Sequence, residues 1–339
     1  MTKLTNCILK KDSSFIPVWF MRQAGRYLPE FREIRSKNLD FIKLCLNSNL
    51  SSIITLQPIQ RFDLDAAIIF SDILMVPYGL GQEVKFEKNK GPILSELIIS
   101  NFINTTEKEF TKKLNPIYQA ITKTKLKLHN NKSLISFIGA PWTLIVYILG
   151  IKEEKNILNF EIMKNKKEEI KLLIDKLVNF LCLHIKSQID SGADTVQIFD
   201  SWAGLLPEDL RNEYCYEPNR KLVIFCKNNK IPVICFPKGL DKAYLEFVNT
   251  VKPDGINIDY DLDPEWASSN LNNICIQGGM DPKILLLHEN KILKEAEKYL
   301  TIFKGSPYIF NLGHGLLPAT DPQKVDRLVN LYNERLQSS

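Results

Sequence analysis

Eight short apolar runs, each closed by polar or glycine-rich residues, limit what this chain can fold into. They lie at residues 16–20, 66–70, 134–138, 195–199, 232–236, 255–259, 274–278 and 308–312, and are rich in Ile, Val and Phe. None alternates strictly between apolar and polar residues, the pattern of strands buried on both faces. Helical patterns fill the gaps. Residues 164–189 set Ile170, Leu173, Leu177, Phe180, Leu181 and His184 at spacings of three and four. Residues 208–227, 291–303 and 324–336 carry further helical patterns, the last opened by the capping run Thr320-Asp321-Pro322. Strand and helix alternating eight times predicts an α/β fold with a parallel sheet, and eight units favour a single (β/α)8 TIM barrel over an open sheet. An open doubly wound sheet usually carries G-x-G-x-x-G after its first strand; here that turn reads Arg22-Gln23-Ala24-Gly25-Arg26, and no P-loop occurs. Two long connections, 71–133 and 139–194, leave room for extra helices and for a small hairpin around 83–93. No boundary for a second domain is visible, so residues 1–339 read as one barrel domain.

In such a barrel the strands end in the loops that build the active site. Arg22, Gln23 and Arg26 follow the first run; Ser71 and Asp72 the second; Gly139 to Trp142 the third, with Tyr147 a turn or two later. Asp200, Ser201 and Trp202 follow the fourth, Pro237 and Lys238 the fifth, Asp259 and Tyr260 the sixth, Gly278, Gly279 and Asp281 the seventh, and His314 the eighth. Arginine stays charged near neutrality and its planar fork matches carboxylate or phosphate, so Arg22 and Arg26 point to an anionic ligand. Asp72 sits in the almost wholly apolar run Ile-Ile-Phe-Ser-Asp-Ile-Leu-Met-Val-Pro. A buried carboxylate needs a cationic or N–H partner or takes up a proton, so either a structural pair with Arg22 or Arg26, a helix cap, or a chemical role is open to it. His314, between Gly313 and Gly315, suits close approach of a ligand. Ser201 lacks a G-x-S-x-G elbow, which argues against nucleophilic hydrolysis.

Composition narrows the classes. Of 339 residues, 45% are hydrophobic and 24% charged, as in ordinary globular proteins, and the net charge of +5 is spread rather than run together. Nucleic acid is therefore not an expected partner. Seven scattered cysteines form no CxxC pair, which speaks against a disulfide framework or structural zinc and for a reducing, cytoplasmic compartment. No stretch reaches the roughly 18 apolar residues of a membrane span, and no secretory signal is evident in the first fifteen residues. No H-E-x-x-H or H-x-C run is present, so no catalytic metal is expected.

The run Arg22-Gln23-Ala24-Gly25-Arg26-Tyr27-Leu28-Pro29-Glu30 resembles the N-terminal signature of the uroporphyrinogen decarboxylase family, and Gly139-Ala140-Pro141-Trp142-Thr143-Leu144 resembles its second signature. Thr55 to Pro58, Phe70 to Leu74, Phe199 to Gly204 and Asn311 to Gly315 match in the same order, so the resemblance covers essentially the whole chain. Gln60, where relatives often have arginine, and Gly279-Met280, where Asn-Leu is common, depart from the pattern. The resemblance implies a (β/α)8 barrel, usually a homodimer with facing clefts. It would remove the four acetate carboxyl groups of uroporphyrinogen III to give coproporphyrinogen III, without metal or organic cofactor. It also implies site roles for Arg22, Gln23, Ala24, Gly25, Arg26, Asp72, Tyr147, Ser201 and His314, with Phe137 as an apolar wall. Asp72, Arg22 and Arg26 are the expected catalytic set. His314 has a better-matched pKa than arginine for donating a proton, if it reaches the ring, but the donor stays unassigned. The alternatives are a zinc-dependent corrinoid or thiol methyltransferase of the same superfamily, and a tetrapyrrole-binding protein without catalysis.

Overall fold

Seven parallel strands make the frame: β1 (Ala66–Ile68), β4 (Ser133–Gly139), β5 (Thr195–Asp200), β6 (Val233–Pro237), β7 (Gly255–Ile258), β8 (Cys275–Gly278) and β9 (Tyr308–Ile309), hydrogen-bonded in that order. The computed structural model describes residues 1–87, 91–152 and 157–337. The hairpin expected in the first long connection is β2 (Val84–Glu87) paired antiparallel with β3 (Gly91–Leu94). Extra helices fill the same connection, among them Met75–Gly79, Ile99–Asn104 and Glu107–Lys125.

The first apolar run does not become a regular strand. It touches the sheet by one parallel bridge, Val18 to Phe310, yet it closes the ring. Phe310 N–H donates to the Pro17 carbonyl (2.8 Å) and Asp65 N–H to the Val18 carbonyl (2.9 Å), so the segment joins the strand ends on both sides of the gap. A longer ladder fails for physical reasons. Pro17 has no N–H, the Phe20 N–H donates to Gln23 Oε1 (3.1 Å), and the Met21 N–H donates to Asn311 Oδ1 (3.0 Å). The helix read at 164–189 is also divided, into Phe160–Asn165 and Lys167–Asp190, with Lys166 between them at φ −110°, ψ 22°.

Strand residues sort by alternation into two cores. Val18, Phe20, Ala67, Ile69, Val196, Ile198, Ile256 and Phe310 face the surrounding helices. Trp19, Met21, Ala66, Ile68, Ile135, Ile234, Phe236, Cys275 and Ile309 form a separate interior cluster. The helix Lys3–Lys10 adds Leu4, Cys7 and Ile8 to that cluster and so plugs one end of the barrel. Amides complete the interior. Gln277 Nε2 donates to Gln197 (3.1 Å) and Asn257 (2.6 Å), and Trp19 Nε1 donates to Gln277 Oε1 (2.9 Å). Burying amides is tolerable where they satisfy one another.

Candidate active site

The turn after the closing segment is built by its own side chains. Gln23 is fully buried; its Nε2 donates to the Ala66 carbonyl (3.0 Å), while its Oε1 holds the Phe20 N–H. Tyr27 reaches back to the Gln23 carbonyl (2.8 Å). Gln23 thus fastens the turn, with both ends of its side chain spent on backbone. Arg22 sits at the bend with φ +58°, in the left-handed region, a strained setting for a side-chain-bearing residue. Ala24 and Gly25 are half-buried, and Arg22 and Arg26 project outward, exposed.

The last βα loop packs directly on Arg22. A Cβ on Gly315 would lie 2.4 Å from Arg22 Cδ and 2.6 Å from Cγ, so the arginine stem lies across that glycine. A Cβ on Gly313 would lie 2.3 Å from the Tyr260 nitrogen, so here backbone meets backbone. Asn311 joins the two loops. Its Oδ1 accepts from Met21 N–H (3.0 Å) and Leu312 N–H (2.7 Å), and Leu316 N–H donates to the Met21 carbonyl (2.9 Å). Arg22 and His314 are thereby held on one wall.

His314 is half-buried, and its Nδ1 accepts from the Gly315 N–H (2.7 Å). Burial, with the charges of Arg22 and Lys238, lowers its pKa to about 4. The imidazole is therefore neutral at pH 7, with its proton on Nε2. That corrects the expectation that its pKa suits it to give up a proton: in the free protein it is a hydrogen-bond donor, not an acid.

Asp72 is half-buried at the start of the connection after β1. Its partner is an N–H: Leu74 donates to Oδ1 at 2.9 Å. No ion pair forms with Arg22 or Arg26 among the described residues, so Oδ2 stays without a protein partner. Burial raises its pKa to about 6, against the pull of the Leu74 bond and the Arg22 charge. Tyr147, on the helix Pro141–Ile148, has its hydroxyl pKa raised by burial and then by the Asp72 charge. Its ring tilts on Trp202 with centroids 6.1 Å apart, next to half-buried Ser201. Phe137 packs edge-on against Phe199 at 5.7 Å, and Phe199 against Phe236 at 6.4 Å. Those three rings lie across β4, β5 and β6 as an apolar surface.

Three other acids at strand ends are fastenings. Asp200 accepts from Thr143 (2.7 Å), Asn219 (3.0 Å) and Cys215 (3.2 Å). Asp259 accepts from Gly239 N–H (2.7 Å), Tyr244 (2.9 Å) and Asp261 N–H (3.1 Å). Asp281 caps the turn at Lys283 N–H (2.9 Å). Among the described residues, no three His, Cys, Asp or Glu side chains gather into a metal-holding group. A groove of about 770 Å³, lined by Leu94, Lys152 and others, meets this region only at Tyr147 and Trp202.

A sequence profile described as Uroporphyrinogen decarboxylase (URO-D) matches residues 1–335. A protein of Rickettsia felis named uroporphyrinogen decarboxylase is 41% identical over 340 residues, covering 98% of this chain and 97% of its own. One of Rickettsia canadensis with the same name is 40% identical over 326 residues, covering 94% and 95%. The chain belongs to the uroporphyrinogen decarboxylase family. Two solved structures share its fold: a methyltransferase from Methanosarcina mazei (TM-score 0.80, 15% identity, 98% and 97% covered) and a putative vitamin-B12-independent methionine synthase from Listeria monocytogenes (TM-score 0.57, 13% identity, 96% and 98% covered).

Membership gives the arrangement a frame. The family signature around Arg22 holds both the outward arginines and the inward Gln23 that shapes their turn. Sequence reasoning passed over Asn311 as a connector and the amides Gln197, Asn257 and Gln277. Their signal was available: each is an amide within or just after an otherwise apolar strand run, where a polar side chain calls for hydrogen-bonding neighbours, although Gln197 Nε2 and Asn311 Nδ2 are buried without a protein partner.

Proposed function

We propose that this chain is a uroporphyrinogen decarboxylase, removing the acetate carboxyl groups of uroporphyrinogen III to yield coproporphyrinogen III. The observation that carries this reading is Asp72: a half-buried carboxylate with one oxygen engaged by Leu74 N–H, beside Arg22 and near Tyr147. Loss of CO2 from an acetate arm leaves an electron pair that needs a sink. A pyrrole supplies its own. A proton adds at the ring α-carbon next to the carbon bearing the arm and makes an iminium-like cation. The C–CO2 bond breaks into it to leave an exocyclic methylene, a second proton completes the methyl group, and the α-carbon gives its proton back as the pyrrole is restored. The protein's tasks are to hold the macrocycle, exclude alternatives and stabilise that cation. Ionised Asp72 accepts hydrogen bonds from the pyrrole N–H groups and favours the positive charge that develops on protonation, which is stabilisation specific to the transition state. Arg22 and Arg26 bind peripheral carboxylates, and Tyr147, Ser201 and the Nε2–H of His314 add hydrogen bonds. Phe137 offers an apolar face to the macrocycle, while Gln23, Ala24 and Gly25 shape the binding turn.

The cofactor-free chemistry, the reading of residues 1–339 as one barrel domain, the homodimer and the cytoplasmic location belong to the same reading and rest on the family resemblance. No helix among the described residues is long and apolar enough to cross a membrane. Anaerobic incubation of chelator-treated protein with uroporphyrinogen III, with products resolved by carboxyl number, tests the function. Stepwise loss from eight carboxyls to four is expected. Binding without loss would make the protein a carrier, and activity that needs added zinc would revive the methyltransferase reading. Sedimentation velocity tests the dimer.

A further inference from the structure

Lys238 follows directly on the end of β6, and its backbone is pinned on both sides. Its N–H donates to the Asp200 carbonyl (3.1 Å), and its carbonyl accepts from Gly204 N–H (2.9 Å). The loops after β5 and β6 touch there: a Cβ on Gly204 would lie 2.3 Å from the Gly239 oxygen. The starting point of the lysine side chain is therefore fixed on the same rim as Ser201 and Trp202. The residue is half-buried, and its charge reaches His314 together with that of Arg22.

No carboxylate lies within ion-pairing distance of Lys238 among the described residues. The acids nearest in the chain and across the strand ends are occupied, Asp200 by Thr143, Asn219 and Cys215, and Asp259 by Gly239 N–H and Tyr244. Lys238 is thus an unpaired cation whose charge acts on the same imidazole as that of Arg22. An arriving anion would offset both positive charges.

We propose that Lys238 is a substrate-binding residue whose ammonium, with Arg22 and the Nε2–H of His314, receives one rim carboxylate of the tetrapyrrole. The inference rests on the decarboxylase reading above. A lysine suits the task in a way a third arginine does not. Its compact charge on a flexible four-carbon stem can follow a carboxylate that shifts as successive acetate arms are presented, where a planar fork fixes one orientation.

The test is steady-state decarboxylation of uroporphyrinogen III by wild type, Lys238→Met and Lys238→Arg, with melting temperatures as a check on folding. Lys238→Met should raise KM at least about tenfold, leave kcat within about threefold, and be largely rescued by Lys238→Arg. In the substrate-free protein, NMR titration of the His314 ring should move to higher pH in Lys238→Met and stay in place in Lys238→Arg, a shift that a packing role would not produce. If methionine is not tolerated, Lys238→Gln carries the same test. An active wild type with unaltered KM in the folded Met or Gln variant would overturn the inference alone. A wild type that neither binds nor decarboxylates would overturn the function reading, and this inference with it.

Discussion

The two ends of the barrel handle charge in opposite ways. At the entry end, three aspartates each precede a strand and do the same double duty. Asp65 accepts from Val18 N–H (2.9 Å) and pairs with Lys3 (3.2 Å). Asp194 accepts from Leu134 N–H (2.7 Å) and pairs with Lys125 (2.6 Å). Asp254 accepts from Val233 N–H (3.1 Å) and pairs with Lys227 (3.5 Å). Each carboxylate ties its strand to the neighbouring one and is neutralised by a lysine from a helix. At the exit end, Asp72 has one N–H, and Arg22, Arg26 and Lys238 have no carboxylate partner among the described residues. Paired charges at the entry end stabilise the fold; unpaired ones at the exit end wait for a ligand. That division matches the general rule that one end of such a barrel carries stability and the other chemistry.

Substitutions at the two ends should therefore separate activity from stability. The largest effect is expected from Asp72→Asn, which should lower kcat about 10²–10³-fold without unfolding the protein, read by CO2 release. Arg26→Ala comes next: KM for uroporphyrinogen III should rise about tenfold to a hundredfold as a carboxylate loses a charge-assisted bond. Gly315→Ala should raise KM by about tenfold, since its Cβ would displace the Arg22 stem from 2.4 Å, with little change in melting temperature. Asp194→Asn, at the entry end, should leave kcat/KM unchanged and cost about 1–2 kcal/mol of stability, seen as a melting point lowered by a few degrees.

The pH dependence of stability sharpens the contrast. Asp72 titrates near 3.8 in an unfolded chain and near 6 in the fold. The folded state holds this proton more tightly, so the ionised carboxylate opposes folding. That cost is absent below about pH 3.8, grows as pH rises toward 6, and is complete above it. Asp72→Asn should then melt higher than wild type at pH 7.5, by on the order of 1–3 kcal/mol, and the two should converge near pH 4. His314 runs the other way: its pKa is depressed from 6.5 to about 4, so its contribution is lost as pH falls through that window. Comparing His314→Gln with wild type between pH 7 and pH 4 isolates it.

Much of the barrel was legible because strands buried on both faces must be apolar. Seven of the eight runs became strands. The first run, 16–20, was misread in form because Pro17, Gln23 and Asn311 remove or redirect the donors a ladder needs, and Asn311 does so through a tertiary contact that no local pattern reports. The site was legible where chemistry forces a residue out of its background, as with Asp72 among apolar neighbours and arginines beside a buried strand. What stayed hidden was direction. Nothing in the spacing says that Gln23 points into the wall while Arg22 points out. The fate of His314's proton depends on burial, then on the charges of Arg22 and Lys238, and its tautomer on the bond from Gly315 N–H. The entry-end aspartates were equally silent, because Asp before a strand looks like any turn residue until its lysine arrives from a distant helix.

The most direct test of the account is the rate of CO2 release from uroporphyrinogen III by folded Asp72→Asn, set against wild type. A rate reduced about 10²–10³-fold in a protein that melts no lower than wild type is the predicted result. A near-wild-type rate would mean that the half-buried carboxylate is not what the chemistry uses, and that the unpaired charges at the exit end serve some other purpose.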